Sequence, residues 1–208
     1  MIRYLALNNS RFPFNDVRMR QAVSLAIDRK NLVDALYMGY AEPTMNVLNY
    51  TSPGYKEFPL EHNLAKAKQL AHEVLGDKRC EITYCINGNE PLQKGEAELI
   101  AYWLQDIGLD VKIKAIEYAT LSKMMRKGEF NIVRIQKGLA NGDPFSALYT
   151  FIMPDGALNV SNSSGYNNPE VIELMNKVKH ITDEAERQRV FDRVQEIVVY
   201  EQPVIPLF

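Results

Sequence analysis

The sequence predicts an α/β domain, a mixed sheet flanked by helices. Three observations carry this. Residues 63 to 135 read helix, strand, helix, strand, helix, strand, the order of sheet strands joined by covering helices. Within that stretch, Leu109, Val111, Ile113 and Ala115 alternate with Asp110, Lys112 and Lys114, as in a half-buried strand. Both chain ends, Ile2 to Leu7 and Pro203 to Phe208, are apolar and strand-like.

The elements follow in order. The first strand ends in Asn8-Asn9-Ser10. Asp16 is an N-cap for a helix with Val17, Met19, Val23, Ala26 and Ile27 along one side. Asp28-Arg29-Lys30 breaks it, and a second helix turns Leu32, Val33, Leu36 and Tyr37 inward before Gly39 stops it. Residues 40 to 62 scatter Pro43, Pro53, Gly54 and Pro59 among Tyr40, Tyr50, Tyr55 and Phe58, a long irregular loop held down by aromatics. Helical spacing returns from Asn63 to Leu75, and Cys80 to Ile86 is a strand. A helix from Glu96 to Ile107 ends at Gly108, followed by the alternating strand, a short helix from Leu121 to Lys127 and a strand from Phe130 to Ile135. Asp143 and Pro144 open a helix as N-cap and first residue. Residues 154 to 168 form a polar loop, Pro169 opens the next helix, and Thr182 caps the last, with Asp183 and Glu184 in its first turn.

Composition narrows the function classes. The chain has 208 residues and a formal charge of −2, so no global basic field draws nucleic acid or an anionic membrane. Its 46% hydrophobic and 24% charged residues are those of a globular protein. No apolar run approaches the roughly 20 residues needed to span a bilayer. The first eight residues are too briefly apolar to be a signal peptide. Cys80 and Cys85 sit five apart on one strand and point to opposite faces, which argues against a disulfide or a shared metal. Termini are usually polar, and two apolar strand-like ends suggest a piece cut from a longer protein.

Catalytic patterns do not emerge. His62, His72 and His180 lie far apart, and no HExxH, GxSxG, phosphate-binding loop or GxGxxG is present. The reading is a protein that is not an enzyme and takes no cofactor or metal. Arg134 stands on a predicted strand leading into a glycine-containing loop. A cation at the carboxyl end of such a strand is where ligands are met; an edge-strand arginine or a salt bridge to a neighbouring carboxylate is the alternative. Residues 40 to 62 and 159 to 168 are each either connectors or ligand-facing rims.

A resemblance adds to this. Pro13-Phe14-Asn15-Asp16-Val17-Arg18-Met19-Arg20-Gln21-Ala22, continuing to Ala26-Ile27-Asp28-Arg29, resembles the signature of the family 5 solute-binding proteins of ABC importers for peptides and nickel. Ala65 to Leu70, Leu104 to Val111, Gly128 to Asn131, Gly165 to Val171 and Pro203 to Phe208 are similar to further family motifs in the same order. These proteins enclose a ligand between two lobes. The resemblance implies that residues 1–208 are a single carboxyl-terminal lobe with a periplasmic-binding-protein-like fold, lacking an amino-terminal lobe and a returning tail. It implies a small peptide as ligand, an ABC permease in the membrane as partner, and a periplasmic or extracellular, membrane-associated location. Arg18, Arg20 and Asp28 are read as a salt-bridged fold element.

Relatives that bind oligopeptides use an arginine for the ligand carboxylate, which aligns on Arg134. The ligand-facing stretch would comprise Arg134, Lys137, Ala140, Asn141 and Asp143. An acidic residue for the ligand's amine falls on Ala140, and an aromatic falls on Lys137, so this chain departs from the pattern twice. Asp143 either substitutes for the missing carboxylate or caps its helix. Two rival readings stay open: the same family with a nickel chelate, sugar or cell-wall peptide as ligand, and an unrelated cytoplasmic α/β enzyme or regulatory domain.

Overall fold

In a computed structural model, residues 1–138, 143–161 and 164–208 are described. Five strands form one sheet: β1 (Ile2–Leu7), β2 (Cys80–Asn87), β3 (Leu109–Ile116), β4 (Ile132–Lys137) and β5 (Val204–Pro206), in the spatial order β3-β2-β4-β1-β5. β2 runs parallel to β3 and β4, while β1 is antiparallel to β4 and β5. The register pairs Ile2 with Lys137 and Leu7 with Ile132. The carboxyl ends of β2, β3, β4 and β5 therefore share one edge of the sheet with the amino end of β1. Arg3 and Phe208 meet there, the Arg3 N–H donating to the Phe208 carbonyl at 2.7 Å.

Period-two patterning buries β1 on both sides. Leu5 and Leu7 join a core with α1 (Val17–Ala26), α2 (Arg29–Tyr37), α3 (Leu64–Leu75) and α4 (Pro91–Gln105). Ile2, Tyr4 and Ala6 join the opposite core with α6 (Pro144–Ile152), α8 (Pro169–Lys177) and α9 (Glu184–Glu201). α5 (Tyr118–Arg126) covers β2 and β4 through Leu121 and Met125 against Cys85 and Val133. The expected α/β sheet with helices on its faces is the observed architecture.

Side-chain caps set most helix starts. Asp16, Asp28, Asn63, Asp143 and Asn168 each accept from a backbone N–H in the first turn. Where boundaries differ from the sequence reading, the cap explains it. The last helix is capped by Asp183, which accepts from the Glu186 N–H, and not by Thr182. α5 starts at Tyr118 because Glu117 receives the Ala119 and Thr120 N–H groups. α4 starts at Pro91, before its first apolar stripe, and β4 is displaced two residues along by its pairing with β1. The polar stretch after residue 154 contains a short helix, α7 (Ala157–Ser161).

The signature charges are not mainly salt bridges. Buried Arg20 donates to the Glu201 carbonyl at 2.8 Å and the Phe14 carbonyl at 2.9 Å. Buried Arg29 donates to the Pro206 carbonyl at 2.7 Å and to the Ser24 carbonyl and hydroxyl at 3.0 and 2.9 Å. These cations serve carbonyls that helix and strand ends leave without partners. Arg18 does pair with Asp16, at 2.7 Å on the surface, and Asp28 approaches His62 at 3.6 Å.

The loop of residues 40 to 62 is braced from α9 by the buried Gln195 amide, beside the buried Asn46 amide within the loop. Gln195 Oε1 accepts from Asn46 Nδ2 at 2.7 Å and the Lys56 N–H at 3.0 Å, and its Nε2 donates to the Gly54 carbonyl at 2.8 Å. Replacement by an isosteric apolar side chain strands these groups. Gln195→Leu is expected to cost about 2–3 kcal/mol in urea unfolding and to speed hydrogen exchange at the Lys56 amide. Unchanged stability would mean that the loop is held elsewhere.

Candidate functional site

The shared sheet edge opens into a cleft of about 1250 Å³. Its floor includes Arg3, Tyr37 and Phe208, and its wall is the pinned loop, with Tyr40, Tyr50 and Phe58 facing the opening. Tyr40 is 91% and Tyr50 67% exposed, so large rings stand ready to cover a ligand. The sheet contributes the amino end of β1, through Ile2 and Arg3, and Phe208 just beyond β5.

Beneath the floor lies a buried ion pair. Glu96 on α4 is fully buried and receives Arg134 Nε at 2.7 Å and Nη2 at 3.0 Å, a two-pronged contact. The Tyr37 hydroxyl also donates to Glu96 Oε1. Gln136 Oε1 accepts from Arg134 Nη1 at 3.4 Å. Burial works against the Arg134 charge, but the hydrogen bonds and attraction of Glu96 outweigh it and push the guanidinium up. Burial, then the bond to Glu96, push the Tyr37 hydroxyl up to about 12, so it stays a donor at neutral pH. Tyr84 lies fully buried beside the pair, and its hydroxyl has no partner among the described residues.

Arg3 completes the cluster from the cleft side. Its Nη1 approaches Glu96 Oε1 at 3.9 Å. Its guanidinium lies 4.7 Å from the Tyr37 ring centre and 5.1 Å from that of Phe208. Two guanidinium groups and one carboxylate leave a net positive charge at the floor.

The residues singled out from the sequence fall differently. Arg134 sits in mid-strand opposite Leu5 and is 3% exposed, its donors turned to Glu96 and Gln136. The salt-bridge alternative is the geometry observed. Lys137 is exposed at the end of β4, opposite Ile2. Asp143 caps α6, accepting from the Phe145 and Ser146 N–H groups at 3.1 Å. Ala140 and Asn141 lie outside the described residues. Buried Asn159 braces the second polar loop by donating to the Met153 and Tyr166 carbonyls at 3.0 and 2.9 Å. Sequence reasoning missed Arg3, Tyr37, Glu96 and Phe208. The one available signal was Arg3, the only charged residue in an otherwise apolar strand. Among the described residues, no group of His, Cys, Asp and Glu could hold a metal ion, and no helix is long and apolar enough to cross a membrane.

Residues 1–159 match the family model for bacterial extracellular solute-binding proteins, family 5 middle. The chain is 30% identical to heme-binding protein A of Haemophilus influenzae, over 99% of this chain and 39% of that protein. It is 25% identical to the periplasmic oligopeptide-binding protein of Escherichia coli, again over 99% of this chain and 39% of that protein. Its fold superposes with a TM-score of 0.89 on the periplasmic binding protein DppA of Helicobacter pylori, solved with the peptide STSA. The two are 28% identical, covering 99% of this chain and 41% of that one. The chain thus spans about two fifths of the length of the curated relatives it matches.

Removing Glu96 strands a buried cation. Glu96→Gln is expected to cost about 3–5 kcal/mol in urea unfolding. Tyr37→Phe should cost about 1 kcal/mol at pH 7, given its partial exposure. Because the folded hydroxyl ionises near pH 12 rather than 10, this difference should persist below pH 10 and vanish as pH rises through 12. Measuring wild type against variant cancels other alkaline titrations, and a difference independent of pH would remove the Tyr37–Glu96 bond from the account.

Proposed function

This chain belongs to the family 5 bacterial extracellular solute-binding proteins, and from that we propose that it forms the carboxyl-terminal lobe of a two-lobed receptor that binds small peptides outside the cytoplasm. Proteins of this family bind solutes rather than transform them. The observation that carries the peptide reading is the cleft: about 1250 Å³ at one edge of the sheet, tyrosine-walled, with the Arg3 cation at its floor and the carboxylates of Glu42 and Glu57 also in its lining. The relatives named for oligopeptide and dipeptide binding support the same class.

In this reading, the cleft supplies one half of an enclosure and a second lobe closes over it about a hinge. The Tyr40 and Tyr50 rings offer apolar surface of tolerant shape, and water fills what a given side chain leaves open. The loaded receptor, membrane-associated in the periplasm or outside the cell, then delivers the peptide to an ABC permease. Lys137, Ala140, Asn141 and Asp143 are retained from the sequence as further candidate ligand contacts. Arg134 serves the ligand through Glu96, by fixing the floor. A second reading is favoured by one observation, the 30% identity to a protein named for heme binding.

Thermal unfolding of the intact protein separates the two. Pooled di- to pentapeptides at about 100 times Kd should stabilise it by about 2.7 kcal/mol, seen as a rise of a few degrees in Tm. A rise with hemin and none with any peptide pool would replace the peptide reading by the second.

A further inference from the structure

The geometry points to Arg3 as a subsite for a ligand carboxylate, one that rests on the binding reading above and adds the chemical group the floor selects. Three observations meet at this residue. Its side chain is only 26% exposed, so its position is set by packing and not by solvent. The Tyr37 and Phe208 rings, 4.6 Å apart between centres, flank the guanidinium and restrain it. Among the described residues its side chain donates no hydrogen bond; its one polar approach is the 3.9 Å contact to Glu96.

That contact is too long to use the donors, and Glu96 is already engaged by Arg134 and Tyr37. Arg3 therefore keeps both its charge and its planar fork of N–H groups, facing the cleft. A carboxylate matches that fork with two parallel bonds, which a neutral amide or hydroxyl cannot do. The division of labour is physical. Glu96 neutralises Arg134 below the floor and leaves Arg3 as the surplus cation above it. Of the two arginines, the one aligned with the family's ligand-binding position is internally paired, and the one in β1 is open.

The carboxylate can be a peptide's terminus or an acidic side chain.

The test uses the intact protein and N-acetylated tripeptides as matched free acids and carboxamides, plus an amide-capped tripeptide carrying one internal Glu. Binding is read by calorimetry. The Arg3 Nε–Hε resonance, assigned by its loss in Arg3→Gln, reports the subsite directly. Free acids are expected to move this signal and to bind at least about 10-fold more tightly than their amides. Arg3→Gln should bring the pair within about 2-fold. Phe208→Leu, which keeps the charge and removes one ring, should give an intermediate preference. The Glu-containing amide moving the signal as the acid does would assign the site to side-chain carboxylates as well. Peptide binding with the Arg3 signal unmoved, or an acid preference that survives Arg3→Gln, overturns the subsite. If no tripeptide binds but N-acetylglycine still moves the signal, the subsite stands and the peptide reading falls.

Discussion

A carboxylate buried to zero exposure is costly unless its charge is fully met, and Glu96 meets that condition. Two bonds from Arg134 and one from Tyr37 place β4, α4 and α2 relative to one another, because each must bring its group to the same two oxygens. α4 is held in turn from its amino end, where Gln93 accepts from the Asn87 N–H at the end of β2. The floor of the cleft is therefore positioned by polar bonds inside an apolar layer. Such bonds are directional and fix an arrangement that dispersion forces alone would leave looser.

The same economy recurs with Arg20 and Arg29, which hold the carboxyl-terminal segment against α1 by donating to carbonyls. Arg29 has no acidic partner among its contacts, and burial brings its guanidinium down to about 10, still cationic at neutral pH. Two backbone carbonyls and the Ser24 hydroxyl suffice to keep it because three acceptors converge on one planar group. Charge in this protein is spent inside as well as outside, to tie segments distant in sequence.

Much of the fold was legible because it is written locally. Alternation marked β3, apolar spacing marked α1 and α3, and Asp16 and Asp143 announced their helices by capping chemistry. What escaped was non-local. α4 begins with Pro91 and a polar turn, so no stripe revealed its first residues. The two-residue displacement of β4 is set by its partner β1 and not by its own composition. The site was less legible for the same reason. Glu96 and Arg134 are 38 residues apart, and Arg3 and Phe208 come from opposite ends of the sequence. Each reads as an ordinary side chain until the sheet order brings them to one edge. Reading Arg134 by its strand position offered a salt bridge to a neighbouring carboxylate as an alternative but could not say that the carboxylate is Glu96.

Gln195 gives the wall of the cleft a kinetic meaning. A 23-residue loop left loose would have to be ordered each time a guest arrived, at a cost in entropy and in waiting time. Here that ordering was completed when the chain folded, by the Gln195 amide on α9 together with the buried Asn46 amide and the Lys56–Glu196 ion pair. Encounter with this face should consequently be governed by how often a guest drifts into it, and its residence by how well the rings and the floor hold on.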